Sequence, residues 1–170
     1  MDRIVSNATP LIYLAKANRL NLLQTPIKET LIPESVYQEV VIKGKHLGEK
    51  DAFLVDRAIT QGWILVRSIK QTYNVEIEIH PGEAEVISLA KESGIEIVLM
   101  DDIKGRIASE MAGLRPRGTL WLLLKAVKDH ILSFDQFLTT LENITRAGFY
   151  LKEEVYLKAV REAGKLTEVS

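Results

Sequence analysis

The chain has 170 residues, of which 46% are hydrophobic and 26% are charged, and its formal net charge at pH 7 is −1. It contains no cysteine, which excludes disulfides, thiolate metal sites and cysteine nucleophiles. Asp2 and Pro10 are unlike a secretory leader, and no apolar run approaches the ~20 residues of a membrane helix. We therefore expect a cytoplasmic protein with one domain over residues 1–170, no membrane association and no global attraction to nucleic acid.

The first part of the chain predicts strands that alternate with helices. A strand is expected over Arg3–Ser6, followed at once by a helix with Thr9 as its N-cap and Pro10 in its first turn. The next expected elements are a short helix over 20–23, a strand over 30–32, a helix opened by Pro33, a loop with Gly44 and Gly48, a helix over 49–61 and a strand over 63–66.

The second part predicts a buried strand between helices. Residues 67–79 are expected to form a loop, and the apolar run Ile95–Met100 is typical of a central strand buried on both faces. The expected helices cover 81–93, 103–112, 119–129, a segment opened by a capping box at Ser133 and Gln136, and a final segment with Leu151, Val155 and Ala159. This order predicts an α/β fold with a mainly parallel sheet, and residues from about 133 to 170 form an additional helical layer.

Polar residues follow two of the predicted strands directly. In open α/β sheets the functional crevice lies outside the carboxyl ends of the strands. Asn7 follows the first strand, and Asp101 and Asp102 follow the apolar central strand. One aspartate of that pair is explained as a helix N-cap next to the positive end of the helix dipole. The second aspartate needs another explanation, and we interpret it as a candidate site residue.

Helix phase distinguishes Glu83 from Glu85 at the start of the helix over 81–93. The residues three, four and seven positions after Glu83 are all apolar, so Glu83 lies at the head of the stripe that faces the sheet. A buried carboxylate is costly unless it is paired, hydrogen-bonded or bound to a cation. We therefore favour a functional role for Glu83, whereas for Glu39 a functional role and a surface role are equally supported.

These acids have no histidine or cysteine companions at ligand spacing, and oxygen-only sites suit Mg²⁺ or Mn²⁺. Metal-assisted hydrolysis of a phosphodiester is the reaction that such a site would support. Basic residues that could hold a phosphate backbone near the acids are Lys104, Arg106, Arg115 and Arg117. Each of them is equally well explained as solvated surface charge.

Five segments, in this order and spacing, resemble the PIN domain and especially its VapC-like toxin branch: VSNATPLIYLAK, PESVYQEV, HPGEAEVISLAK, IVLMDDIKGRIA and RGTLWLLLKAV. The resemblance covers nearly the whole chain. It implies a three-layer α/β/α fold, Mg²⁺- or Mn²⁺-dependent cleavage of single-stranded RNA, homodimerisation and neutralisation by a cognate antitoxin protein.

The resemblance also implies a set of site residues. The metal ligands that it implies by position are Glu39, Glu83, and Asp101 or Asp102. The first acid of the family falls on Asn7, and the hydroxyl position just beyond it falls on Thr9, which would contact the substrate. Asparagine offers a metal a carbonyl oxygen but no charge, so a PIN-fold module that binds RNA or protein with weakened catalysis remains an alternative. A phospho-accepting receiver domain is disfavoured, because it needs an early acidic pair and a lysine after a late strand.

Overall fold

The computed structural model describes residues 3–25 and 27–168, and a parallel sheet lies at its centre. The strands are β1 (Arg3–Ser6), β2 (Glu29–Pro33), β3 (Ile64–Arg67), β4 (Ile97–Leu99) and β5 (Arg115–Arg117). They are arranged in the order β3-β2-β1-β4-β5, and every neighbouring pair is parallel. The sheet is therefore fully parallel over the described residues, in agreement with the predicted fold class.

Helices cover both faces of this sheet. In the described part of the chain they are α1 (Ala8–Lys16), α2 (Glu34–Tyr37, continued by the π-helical Gln38–Lys43 and by Gly44–His46), α3 (Lys50–Thr60), α4 (Pro81–Ser93), α5 (Ile103–Met111), α6 (Thr119–Lys128), α7 (Phe134–Arg146) and α8 (Glu153–Glu168), with a 3-10 turn at Leu20–Leu23. Connections between parallel strands are right-handed, so helices that lead towards β3 and the helix that leads to β5 lie on opposite faces. The result is the three-layer α/β/α architecture that the sequence predicts.

The sheet has a topological switch point between β1 and β4. From β1 the chain adds β2 and β3 on one side, and it then returns to add β4 and β5 on the other side. Strands β1 and β4 are still hydrogen-bonded at their carboxyl ends, where the backbone N–H of Asn7 donates to the carbonyl of Leu99 at 2.9 Å. Connections diverge at such a point and leave a crevice at the carboxyl ends of the strands.

The buried apolar side chains form one cluster that includes residues of both the sheet and the C-terminal helices. Phe137 of α7 is fully buried, and α7 and α8 pack against each other and against α6. The predicted helical layer after residue 133 thus shares the core of the sheet. No helix within 3–25 or 27–168 combines the length and apolarity that a membrane span requires.

The structure corrects the prediction by adding strand β5, which pairs with β4 from Arg115 to Arg117. Pro116, in the middle of β5, cannot donate to a ladder and argues against a central strand. At the edge of a sheet one side of the strand needs no partner, so proline is tolerated there. Arg115 and Arg117 therefore belong to the edge strand of the sheet.

Two helix boundaries also differ from the prediction. Gly44, expected in a loop, lies within α2. A Cβ at this position would come within 2.7 Å of Ala52 Cβ on α3. Its lack of a side chain allows the two helices to approach closely. Helix α1 begins at Ala8 with Asn7 as its N-cap, so Thr9 is already inside the first turn.

Residues 68–80 lack regular secondary structure, as predicted, but α4 holds them in place. The carboxylate of Glu92 accepts the backbone N–H groups of Lys70 and Gln71, at 2.9 and 2.8 Å. Farther along, the hydroxyl of Ser88 accepts the N–H of Tyr73 at 2.8 Å. The hydrogen bonds from Gln71 and Lys70 lower the pKa of Glu92, since they stabilise its charged form. The loop therefore follows the outer side of α4 to the beginning of that helix.

Candidate functional site

A cleft of about 530 Å³ opens beside the carboxyl end of β4, and we call it the acid cleft. Its lining includes Glu83 at the start of α4 and Asp102 at the start of α5, together with His80 and Lys104. The two helices begin near each other because both lie beside the switch point. The cleft therefore brings together two of the acids that the sequence singles out.

Glu83 is held in this cleft by the first turn of its own helix. Pro81 opens α4, and the backbone N–H of His80 donates to Glu83 Oε2 at 3.0 Å. The side chain is only 5% exposed, as helix phase predicts, while Glu85 is half-buried and accepts the backbone N–H of Ser35 at 3.3 Å. Glu83 thus lies on the sheet side of α4, and Glu85 ties α4 to the start of α2.

The pKa of Glu83 is raised above its ordinary value of 4.5, mainly because burial disfavours the charged carboxylate. The neighbouring acids Asp102 and Glu39 raise this pKa further, whereas the N–H of His80 opposes the rise. Glu83 therefore concentrates negative charge in a poorly solvated place, and a cation would relieve that cost.

Asp102 is fixed beside Glu83 by a helix cap. Its Oδ1 accepts the backbone N–H of Gly105 at 3.0 Å, which makes it the N-cap of α5. A Cβ on Gly105 would lie 3.1 Å from Glu83 Cδ and 2.2 Å from Met100 Sδ. Glycine at this position is thus what allows the first turn of α5 to pack directly against the Glu83 carboxylate.

Asp101 faces a different neighbourhood, although it is adjacent to Asp102 in the chain. Its Oδ1 accepts the backbone N–H of Thr119 at 2.7 Å, and its Oδ2 accepts the Thr119 hydroxyl at 2.6 Å. Burial raises the pKa of Asp101, while the Thr119 hydrogen bonds and the Arg106 guanidinium oppose the rise. A Cβ on Gly118 would come within 2.9 Å of Asp101 Oδ1 and 3.0 Å of Arg106 Nη1, so glycine leaves space for this arrangement.

Asn7 and Glu39 complete the set of predicted ligands. Asn7 is 9% exposed at the end of β1 and makes no capping hydrogen bond with its side chain. Glu39 is exposed on the π-helical segment of α2 and lies near enough to Glu83 to raise the pKa of that acid. A π-helical segment shifts the side chains that follow it relative to an α-helix and frequently occurs at functional sites.

The predicted substrate contacts are distributed over both ends of the sheet. Lys104 lines the acid cleft, Arg106 lies beside Asp101, and the Arg117 guanidinium lies 5.4 Å from the centroid of the Trp121 ring. Thr9 is half-buried in the first turn of α1. Arg115 lies at the amino end of β5, away from the carboxyl ends of the strands, and it forms an ion pair with Glu96. Its position does not suit a substrate contact at the acid cleft.

The donor set fits a hard cation by chemistry. It offers the carboxylates of Glu83 and Asp102, the nearby Glu39 and the amide oxygen of Asn7, and oxygen ligands of this kind suit Mg²⁺ or Mn²⁺. Over residues 3–25 and 27–168, the histidine, cysteine, aspartate and glutamate side chains form no group of three or more in position to hold a metal ion. Of the predicted ligands, Glu83 and Asp102 line the acid cleft, and Asn7 and Glu39 are not part of its lining.

Thr119, Gly105 and Gly118 are site residues that the sequence did not single out. Thr119 donates both of the hydrogen bonds that Asp101 accepts. Gly105 and Gly118 lack side chains and so leave room for the carboxylates of Glu83 and Asp101. A short-range signal was present, because Gly118 and Thr119 precede an apolar helical segment as an N-cap pair would. The partner of Thr119 lies 18 positions away, which no local pattern indicates.

The fold and its site define a parallel α/β protein with acids at the switch point of the sheet. A family model described as a PIN domain, DUF3368, matches residues 3–165, and the chain therefore belongs to the PIN domain family. PIN domains generally act as nucleases, bind nucleic acids and use divalent metal ions.

A solved structure shares the fold at low sequence identity. It is a PilT N-terminus domain protein, SSO1118, from the hyperthermophilic archaeon Sulfolobus solfataricus P2, with a TM-score of 0.52 and 16% identity. The similarity covers 74% of this chain and 93% of the archaeal chain. A search of curated proteins finds no significant match. The structural similarity supports the fold, and the family match supports the class.

Proposed function

We propose that this protein is an endoribonuclease that hydrolyses phosphodiester bonds in single-stranded RNA with Mg²⁺ or Mn²⁺ as its cofactor. The observation that carries the proposal is the buried Glu83 carboxylate, whose pKa is raised by burial, by Asp102 and by Glu39 at the carboxyl edge of the sheet. Such an accumulation of charge is costly in the free protein and is matched to a cation.

Glu83 and Asp102 would hold the cation, with the Asn7 amide oxygen and Glu39 as the remaining protein donors. When bound, a divalent ion lowers the pKa of a water ligand and stabilises charge on the phosphate. The chain itself orients these donors: the His80 N–H holds Glu83, and the first turn of α5 holds Asp102. Lys104, which lines the same cleft, would attract the phosphate of the substrate.

The toxin–antitoxin assignment is a finer proposal. It is supported by the resemblance of the five sequence segments to VapC-like toxins, and it makes an antitoxin protein the expected partner. We also propose a homodimer, for which α5 offers a surface. Ile103, Ile107 and Met111 recur every four residues along this helix, and they are 73%, 46% and 55% exposed.

Asn7 favours a second candidate function, an RNA- or protein-binding module with weakened catalysis. A neutral amide contributes less to cation binding than the acid that the family carries at this position. The two candidates give different results in a cleavage assay that compares wild type with Asn7→Asp.

For the nuclease, we expect wild type to cleave single-stranded RNA with Mn²⁺ or Mg²⁺ and to be inactive in EDTA. The Asn7→Asp variant should cleave roughly 10-fold faster at limiting metal concentration, because an added carboxylate strengthens cation binding. Without metal, the same variant should unfold at a lower temperature, since it places a carboxylate at a position that is only 9% exposed. The measurements are cleavage of a fluorescently labelled RNA and thermal unfolding in EDTA.

An inactive wild type together with an active Asn7→Asp variant would support the binding module. Inactivity of both proteins on a mixed-sequence RNA, with intact folding, would refute the nuclease. Cleavage that persists in EDTA would refute the metal dependence while leaving RNA as the substrate.

A further inference from the structure

A groove of about 440 Å³ lies between α6 and α8, next to the acid cleft, and we call it the α6–α8 groove. Its apolar wall includes Trp121 and Leu124 from α6, Leu151 from the preceding loop and Val155 from α8. Its volume falls in the range of pockets that hold small organic groups. The groove is thus a concave apolar site at the carboxyl edge of the sheet.

Adjacent residues of the chain line the groove and the proposed catalytic site. Asp101 lines the α6–α8 groove, and the next residue, Asp102, lines the acid cleft. Consecutive Cα atoms are about 3.8 Å apart, so a ligand that spans this segment reaches both sites. A single RNA strand has this form, since each phosphate is flanked by bases that can be placed on either side.

The groove carries two cations that suit a polyanion, together with two acids that have partners of their own. Arg106 and Lys158 line the groove, and within the described residues neither side chain takes part in an ion pair. Asp101 and Glu162 line it too, but Asp101 is hydrogen-bonded to Thr119 and Glu162 lies 3.8 Å from Lys165. Lys104 contributes a further cation in the acid cleft. Both cavities therefore have cations in their lining, and these would neutralise successive phosphates.

Trp121 gives the groove an aromatic surface with a fixed position. Its ring is half-buried, and the Arg117 guanidinium lies over it, 5.4 Å from the centroid. A cation over an indole is attracted by the electrons of the ring, which restrains the side chain. An aromatic ring that is held in place beside cations is the arrangement on which unpaired bases stack in proteins that bind single-stranded nucleic acids.

We propose that the α6–α8 groove binds an unpaired nucleobase of the RNA substrate, adjacent to the phosphate that is cleaved. This proposal rests on the proposed ribonuclease function. The base contacts Trp121 and the apolar wall, and Arg106 and Lys158 bind the flanking phosphates. The groove therefore selects single strands over duplexes, because a base that is paired and stacked in a helix cannot enter it.

The chain supplies its own fluorescent reporter and a matched control. The two tryptophans are Trp121 in the groove and Trp63, which precedes β3 and donates its indole N–H to Gln61 at 2.9 Å. Trp63→Phe leaves Trp121 as the only tryptophan, and Trp121→Phe leaves Trp63. Both proteins are titrated in EDTA with a single-stranded RNA hexamer and with a hexamer of abasic residues.

The base-bearing hexamer should change the emission of Trp121 and leave that of Trp63 unchanged, and the abasic hexamer should affect neither. In cleavage assays with metal, Trp121→Leu and Lys158→Gln should each raise KM about 10-fold with little change in kcat. Lys158 is exposed, so the unfolding temperature of Lys158→Gln should stay close to that of wild type. Trp121→Leu keeps the wall apolar but loses packing against the core and the Arg117 contact, so its KM is compared at a temperature where the variant is fully folded. Together these results would establish the groove as a base-binding site.

The base site would be overturned if the enzyme is active, the emission of Trp121 does not respond to the base-bearing hexamer, and KM is unchanged in both variants. The proposed ribonuclease function would remain. An equal response to both hexamers would overturn the base site too. A Trp121 signal that depends on protein concentration alone would assign the groove to contact between copies of the chain and overturn the proposal. Absence of cleavage despite a base-dependent signal would instead refute the ribonuclease and keep the base site.

Discussion

Glu83→Gln should lower the rate of RNA cleavage at least about 100-fold, while the metal-free variant unfolds at a higher temperature than wild type. Glutamine retains an oxygen that can accept the His80 N–H, so the first turn of α4 keeps its hydrogen bond. It removes the buried charge beside Asp102 and Glu39. Removing this charge should stabilise the folded chain at neutral pH, and for a chain of this length each ~1 kcal/mol raises the unfolding temperature by about 2–4 °C.

The stability of metal-free Glu83→Gln relative to wild type should increase as pH rises. The pKa of Glu83 is raised in the folded protein, so between the ordinary value of 4.5 and the raised value the folded state binds more protons than the unfolded state. Metal-free wild type is therefore stabilised by the protonated Glu83 carboxyl at low pH, and it loses that stability as pH rises through the raised pKa. Glu83→Gln has no such group and keeps its stability. The advantage of the variant should disappear as pH falls to the ordinary value. Thermal unfolding in EDTA across this range measures it.

Glu85→Gln is the matched control for Glu83→Gln. Glu85 is in the same first turns of α4, but its carboxylate accepts the N–H of Ser35 outside the acid cleft. We expect cleavage by Glu85→Gln within a few-fold of wild type. If Glu83→Gln cleaved RNA as well as this control does, Glu83 could not be a metal ligand.

The two adjacent aspartates should differ sharply when each is replaced by asparagine. Asp102→Asn should reduce Mn²⁺ affinity and cleavage at least about 100-fold, because it removes a charge from the acid cleft. Asparagine is as good an N-cap as aspartate, so α5 should remain intact. Asp101→Asn should leave Mn²⁺ affinity unchanged and slow cleavage by less than about 10-fold, because the amide can still bond with Thr119 through both of its ends.

Isothermal titration with Mn²⁺ and cleavage kinetics, both run on folded variants, would measure this difference. The reverse order, with Asp101→Asn losing metal and Asp102→Asn keeping it, would move the metal centre to the Thr119 side of β4. Equal losses in both variants would mean that the pair acts as one unit, contrary to the separate environments described above.

Local patterns were sufficient to predict much of this fold. Helix α4 was predicted over its full range, because Pro81 and Gly94 mark its two ends and apolar side chains recur along it. The same periodicity identified the buried face on which Glu83 lies. Strand β5 was missed because Pro116 is unfavourable in a strand unless the strand lies at an edge. Edge position is a property of the assembled sheet, which a local pattern does not contain.

The sequence predicted where the acids lie relative to the strands and helices, but not which residues contact them. Sequence placed Asp101 and Asp102 at the end of β4, but both follow the same strand and nothing local separates them. Thr119, 18 positions away, engages Asp101 and leaves Asp102 beside Glu83. Gly105 and Gly118 matter because of what approaches them in space. These relations depend on tertiary packing, so they became evident only in the folded chain.

Anomalous scattering from crystals soaked in Mn²⁺ would test the metal centre most directly, because it locates the ion independently of activity. We predict a manganese peak in the acid cleft, bound by the carboxylates of Glu83 and Asp102, at a concentration that supports RNA cleavage. A peak held by Asp101 on the Thr119 side, or no peak near the ends of β1 and β4 in a protein that cleaves RNA, would contradict the proposed centre.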